Sequence, residues 1–436
     1  MIASAIVNPA LESWIPVAPD SDFPIQNLPY GVFHRQNEDA RVGVAIGDSV
    51  LDLAACAGAG LFAGHLDDAV KLFSRAELNG FLSAGPMAWK QARGRIVDLL
   101  QKESAQLRDA AELRRKAVIP RAQVRLELPF AVADYVDFYS SLEHATNMGK
   151  ILRPDGEALT PNWRHLPIGY HGRASTVVID GTEIVRPLGQ SKPADAPIPR
   201  FGATTMLDIE LEMGFVTGPG NGLGESIPTV AAREHIFGLL LVNDWSARDI
   251  QAWEYQPLGP FLGKSFATSI SPWVVTLDAL EPFRVPGPQQ EPPVMDYLRI
   301  GEAWNYDVKL QVMLETQTMR QSGERPAIIC TTNFKEMYWN MAQQLAHMTV
   351  NGTVVRPGDL YASGTISGPT TDSFGSLMEL TWRGSKPIVL PSGEERRFLQ
   401  DGDRVIFHGW CERQGARRIG FGELSGTILP ARGMQS

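Results

Sequence analysis

Beyond about residue 130 the apolar stretches of the chain are mostly short, and many are separated by glycine or proline. A glycine inside a helix costs about 1 kcal/mol relative to alanine and a proline about 3 kcal/mol. A region punctuated this way, in a chain with 41 Gly and 31 Pro, is therefore held to short strands and tight turns. Strands are expected at Ser175 to Ile179, Leu207 to Val216, Phe237 to Val242, Trp273 to Thr276, Val308 to Leu314 and Val405 to His408. One helix should interrupt them, from about Asn333 to Met348, with Asn333 and Glu336 placed as a capping box and Phe334, Tyr338, Met341 and Leu345 forming a stripe that faces the core rather than a cofactor. The proline-rich stretches 192–199 and 282–293 read as loops.

The first third reads differently. Residues 1–13 are mixed and small, as in a poorly ordered arm. Val42 to Asp48 carries the pattern of a hairpin with a Gly47-Asp48 turn. Between Met87 and Arg115, Trp89, Ala92, Ile96, Leu100 and Leu107 recur at helical steps, and the helix should end before Pro120. The stretch 117–129 is the natural junction, giving an N-terminal unit of 1–129 and a larger one of 130–436.

A formal charge of -9 disfavours nucleic acid or an anionic membrane as partner, so a small-molecule substrate is expected. Cys56, Cys330 and Cys411 are odd in number and widely spaced, which argues against a disulfide scaffold and for a reducing compartment. The first Lys or Arg is Arg35 and the longest apolar run, Leu53 to Gly64, is too short to cross a bilayer, so a cytosolic protein is expected.

Three motifs fail on inspection. Gly263-Lys264-Ser265 lacks the glycine spacing of a phosphate loop and Pro260 follows Gly259. Gly218, Gly220, Gly222 and Gly224 precede no helix and form a turn, and no G-x-S-x-G elbow occurs.

The acids are more informative. Leu207 to Met213 (LDIELEM) alternates at the period of a strand, which puts Asp208, Glu210 and Glu212 on one face. A solvated acidic face is the commoner meaning of such a pattern, but three like charges repel and a cation would relieve them. Asp244 ends an apolar run where an unpaired carboxylate would be costly, and Asp137 lies among aromatics shortly before His144. An all-oxygen set suits a hard ion, Mg²⁺ or Ca²⁺, better than zinc.

Longer words of the sequence carry a resemblance. Asp137 to Ser141 (DFYSS), His144 to Asn147 (HATN), Leu166 to Ser175 (LPIGYHGRAS), the acidic strand, Asn243 to Gln251 (NDWSARDIQ) and Gly364 to Gly368 (GTISG) resemble the fumarylacetoacetase family. The likeness runs from Ile15 to Val17 (IPV) and Phe23 to Gly31 (FPIQNLPYG) through to Gly420 to Gly422 (GFG), nearly the whole chain.

The resemblance implies a mainly β protein with some α: a small SH3-like barrel N-terminal domain with helices, then a mixed β-roll catalytic domain, paired as a homodimer. It implies metal ligation by Asp137, Glu210, Glu212 and Asp244 with Lys264 and Thr268 close to the ion, a base at His144 oriented by Glu379, and substrate contacts from Tyr139, Arg153, Tyr170, Arg248, Gln251 and Thr365. The implied reaction is hydrolysis of 4-fumarylacetoacetate to fumarate and acetoacetate, the last step of tyrosine and phenylalanine breakdown. Lys264, Arg248 and Gln251 would serve the oxyanion, and Arg153 and the tyrosines the terminal carboxylates.

Ala267 stands where the family usually has glycine, and Glu315 to Arg325 is longer than usual, as in a surface loop. His171 is the rival base. His34, His65, His165, His235, His347 and His408 read as structural, and Glu379 taken alone reads as an exposed strand acid. The neighbouring alternatives are an acylpyruvate-type hydrolase, decarboxylase or hydratase on the same fold, and a metal-binding protein without catalysis.

Overall fold

The computed structural model describes residues 8–433, in which three sheets of five, eight and five strands carry short helices at their margins. The N-terminal sheet is antiparallel, in the order Val118–Pro120, Ser49–Asp52, Arg41–Ile46, Tyr30–His34, Arg125–Glu127. The expected hairpin is there, with Ile46 opposite Ser49 across Gly47-Asp48. Two strands of this sheet come from the 117–129 stretch. The expected long helix is broken. It runs Gly85–Leu100, stops where Lys102 N–H bonds Glu12 O at 2.9 Å, and a second helix spans Ala111–Ala117; Leu107 is buried in the turn between them. Of the supposed loose arm, residues 8–13 are tied down, since Gln26 Nε2 donates to Asn8 O (2.8 Å) and Leu11 O (2.9 Å); residues 1–7 lie outside the described residues.

The eight-stranded sheet runs Gly169–His171, Tyr135–Phe138, Leu360–Ala362, Leu211–Thr217, Ile236–Asp244, Thr268–Ile270, Val177–Ile179, with Val275–Thr276 also paired to Ile236–Asp244. Every residue of Ile236–Asp244 is buried, because the strand has a hydrophobic layer on each face. Leu239 and Leu241 join the core shared with the second large sheet, Ala327–Asn333, Lys309–Glu315, Arg404–Cys411, Ile419–Leu429, Ile184–Val185. Leu240 and Val242 join the core of the N-terminal unit. Phe237 packs its ring 5.5, 5.8 and 5.1 Å from Tyr30, Phe81 and Trp89.

Several expected boundaries move. Ser175 and Thr176 form a 3-10 turn ahead of Val177–Ile179. Val274 leaves the Trp273–Thr276 segment to exchange hydrogen bonds with Tyr30 (3.0 and 2.8 Å). The late helix is only Met341–Thr349, and its capping box is Asn340 with Gln343; Asn333 ends a strand and caps a 3-10 turn through Lys335 N–H. The expected surface loop near 315–325 holds a helix, Gln317–Ser322, capped by Thr316 and closed by Gly323 in the left-handed region. A seam joins the N-terminal unit to the outer sheet. Gly420 N–H bonds Asp22 O at 2.8 Å, and a Cβ at Gly420 would lie 2.2 Å from Asp22 Cγ, so only glycine fits.

Candidate active site

Alternation along the eight-stranded sheet decides which acids meet. In Tyr135–Phe138, Val136 and Phe138 belong to the outer core and Tyr135 to the N-terminal core, which puts Asp137 on the N-terminal face. The same reasoning places Asp244 with Leu240 and Val242, and Glu212 with Val216, on that face. Thr268, opposite Asp244, shares it with Ile270.

The acidic strand differs from its expected form. Leu207–Asp208 and Leu211–Thr217 are separate strands, broken at Ile209 and Glu210, so the three acids do not share a face. Asp208 turns away and is fully used, accepting from Leu377 N–H (2.7 Å), Met378 N–H (3.1 Å) and Arg248 Nε (2.7 Å). Glu210, freed from the ladder, brings a carboxylate oxygen to those of Asp137 and Asp244, all within 4.8 Å of one another and all buried. Lys264 Nζ donates to Glu210 Oε2 and, at 2.8 Å, to Asp244 Oδ2. Thr268 Oγ1 (2.7 Å) and the Tyr170 hydroxyl (2.9 Å) also donate to Asp244. Glu212 stands beside this triad and takes Gly364 N–H at 2.9 Å. Gly364 can come so near because its φ is +78° and it has no side chain; a Cβ would lie 2.2 Å from Phe138 O.

Charge in this centre is unbalanced. Against the five acids Asp137, Asp208, Glu210, Glu212 and Asp244, the ion pairs among the described residues come from Lys264 and Arg248. Burial, then the charge of Asp244, pushes the Asp137 carboxyl well above the ordinary carboxylate range. Burial and the charges of Asp137, Glu210 and Asp244 do the same to Glu212. Burial alone would raise Glu210 too, but Lys264 and Arg248 hold it down at about 2. Asp137 Oδ1 and Glu212 Oε1 are buried with no hydrogen-bond partner. Orphaned carboxylate oxygens beside a triad of acids fit a divalent cation, whose charge would remove both penalties.

On the helix Leu142–Leu152, His144 Nδ1 meets Glu379 Oε2 at 2.7 Å, with both side chains buried. Glu379 lies on the short helix Leu377–Leu380, not on an exposed strand. Asn147 Nδ2, Ser367 Oγ and Ser376 Oγ donate to it at 2.8–3.0 Å. Burial would raise the Glu379 carboxyl, but the charge and hydrogen bond of His144 and the hydrogen bonds from Asn147 and Ser376 hold it below its ordinary value. A carboxylate on Nδ1 fixes the tautomer that leaves Nε2 free as an acceptor, and Nε2 has no hydrogen-bond partner among the described residues.

Comparisons with known proteins give the family. The family model "Fumarylacetoacetate (FAA) hydrolase C-terminal" matches residues 134–429 and "Fumarylacetoacetase N-terminal" matches residues 26–129. The chain belongs to the fumarylacetoacetase family. Fumarylacetoacetase of Homo sapiens is 55% identical over 421 residues, covering 96% of this chain and 99% of that one. The Arabidopsis thaliana protein of that name is 52% identical over 422 residues, 97% and 99% of the two chains. A fumarylacetoacetate hydrolase from psychrophilic Exiguobacterium antarcticum shares the fold, with a TM-score of 0.51 at 18% identity over 93% of this chain and all of that one.

Around the family's acid centre the remaining expected residues fall into two groups. Tyr139 stacks edge-on to His144 at 5.3 Å. Arg248 Nη1 reaches Glu210 (2.8 Å) and Gln251 Oε1 (3.3 Å), its Nη2 is buried without a partner, and so is Thr365 Oγ1. Arg153 is the exception. It is exposed at the end of its helix and donates to its own loop, at 2.8 Å to Ala158 O. His171, the rival base, is exposed on an edge strand. Sequence reasoning missed Asp208 as the holder of Arg248, and Asn147, Ser367 and Ser376 as holders of Glu379. Asn147, three residues after His144 on one helical face, was the one with a local signal. Among the described residues no helix is long and apolar enough to cross a membrane.

Proposed function

We infer that the protein hydrolyses 4-fumarylacetoacetate to fumarate and acetoacetate, closing tyrosine and phenylalanine breakdown. The observation that carries this is the buried His144–Glu379 pair with Nε2 free, beside an acid centre holding two orphaned oxygens. His144 Nε2 takes the proton of the attacking water, and Glu379 stabilises the imidazolium that results. Cleavage next requires an enolate to leave. Lys264 has donor capacity beyond its two carboxylate partners, Arg248 has Nη2, and Gln251 has its amide, so these three serve the developing oxyanion. Tyr139, Tyr170, Thr365 and, after reorientation, Arg153 contact the substrate.

Asp137, Glu210, Glu212 and Asp244 would hold Mg²⁺ or Ca²⁺, with Lys264 and Thr268 alongside, and the ion would supply Lewis-acid polarisation of the diketone. The reading extends to a cytosolic homodimer with an SH3-like barrel over residues 1–129 and a β-roll catalytic domain over 130–436.

The test is to incubate the purified protein with 4-fumarylacetoacetate and with acylpyruvates and to identify the products, before and after chelation. Fumarate and acetoacetate should form, chelation should abolish turnover, and Mg²⁺, Mn²⁺ or Ca²⁺ should restore it. Cleavage of acylpyruvates alone would assign the enzyme to the neighbouring activity. Full turnover in a verified metal-free preparation would remove the metal from the mechanism.

A further inference from the structure

A cavity of about 330 Å³ opens beside the His144–Glu379 pair, with Arg248 and Gln251 among its lining residues. Met148, one turn beyond His144, and Met378, next to Glu379, form part of its wall. Lys192, Arg200 and Arg383 also line it, so four of its lining residues are cations.

Among the described residues its only lining acid is Asp249, and that carboxylate is already spent on Thr204 Oγ1 and on Thr205 N–H and Oγ1 (2.9 and 3.0 Å). None of the three outer cations is in an ion pair among the described residues. Lys192 lies over the Trp253 ring at 5.7 Å, Arg200 Nε donates to Ser191 Oγ at 3.2 Å, and the Arg383 guanidinium has no hydrogen bond. In a chain of net charge -9, three unpaired cations round one cavity make a local positive field.

Arg383 is also held at a backbone position that arginine rarely takes. Trp382 and Arg383 have φ of +48° and +57° and lead into Gly384 at +80°. The turn starts directly after the helix that carries Glu379, with Arg383 N–H bonded to Met378 O at 2.8 Å. Left-handed backbone is unfavourable for a non-glycine residue, and strained residues of this kind cluster at ligand sites.

We propose that Arg383, with Lys192 and Arg200, is the subsite for one terminal carboxylate of a dicarboxylate diketo-acid substrate. This rests on the function inferred above and adds a specificity element to it. The substrate carries a carboxylate at each end, and none of Asp137, Glu210, Glu212 and Asp244 is among the residues that line the cavity.

The measurement is kcat and KM of the full-length enzyme and of Arg383→Gly, using 4-fumarylacetoacetate and two analogues, each lacking one terminal carboxylate. Glycine suits the left-handed backbone, so the variant should melt no lower than the parent. Loss of one partly exposed charge-assisted contact should raise KM about 3- to 10-fold, with a smaller change in kcat. Arg383→Lys should recover part of the loss. The effect should vanish for one analogue and persist for the other. An unchanged KM with 4-fumarylacetoacetate, or an equal rise with both analogues, would overturn the subsite while leaving the function intact. A parent enzyme that does not cleave 4-fumarylacetoacetate would overturn both.

Discussion

In the catalytic half His144 meets Glu379 at 2.7 Å, and at the seam between the N-terminal unit and the outer sheet His408 meets Asp22 at 3.0 Å. The contacts are alike and their surroundings are not. Besides His144, Glu379 accepts only from neutral donors, Asn147, Ser367 and Ser376, so its whole charge acts on the imidazole. Asp22 divides its charge with Arg418, which bonds it at 2.7 Å. His408 also stacks on Trp410 at 5.2 Å. The first arrangement would suit an imidazole that receives a proton, and the second fastens two parts of a fold. What separates a base from a clasp is therefore the charge of the groups that share its carboxylate, more than the distance between the pair.

The largest expected effect lies at the first pair. His144→Gln should lower kcat by about 10² to 10⁴ with fold and metal content preserved. Glu379→Gln should lose less, about 10- to 100-fold, because it keeps the geometry and removes only the charge, and the double variant should be little worse than His144→Gln since the two act as one unit. Kinetics of the three variants beside metal analysis and a thermal melt would decide this. A near-normal kcat in folded, metallated His144→Gln would move the base to His171, and additive losses would mean that Glu379 acts elsewhere.

At the seam the effect should be smaller and of another kind. Asp22→Asn should leave kcat within about twofold and lower Tm by roughly 1–3 °C, the worth of about one charged hydrogen bond in a chain this long. Burial would raise the Asp22 carboxyl, but His408 and Arg418 together bring it below 3.8. Its stabilisation is therefore present above that ordinary value and is lost as the pH falls through the lower, folded one. The stability gap between parent and variant should be constant near neutrality and close below about pH 4. A kcat loss matching that of Glu379→Gln would erase the contrast between the two pairs.

The smallest effect is expected at Ala267→Gly. Its buried methyl belongs to the outer core, so the change should cost about 1 kcal/mol of stability and little activity. A large activity loss would show that Thr268, next to it, is placed differently from the family's pattern.

Much of this was legible in the sequence, for local reasons. The Phe237 to Val242 run announced a buried strand, and Asp244 at its end announced a carboxylate in need of a partner. The His144 and Glu379 assignment came from the family words, and the structure brings the two together across 235 residues. Alternation misled at Asp208, because Arg248 and two amides at Leu377 and Met378 take that side chain out of the strand's face, and contacts from so far along the chain leave no periodic trace. The helix expected through Leu107 failed for a similar reason. Its period was sound up to Leu100, and the break is made by residues near the N-terminus, Glu12 and Ser13. Arg153 came from the family words as well, and in the structure its guanidinium is held by its own loop.

The strand Ile236–Asp244, whose two faces serve two cores, imposes an order on synthesis. The N-terminal sheet is complete once Glu127 has been added, while the strand that covers its apolar face ends at Asp244, a gap of 244 − 127 = 117 residues. Ribosomes add about 5–20 residues per second, so Tyr30, Phe81 and Trp89, whose rings pack on Phe237, wait roughly 6–23 s without that cover. Chains stalled in that interval should bind an apolar dye that the finished protein does not, and should be the ones that chaperones hold.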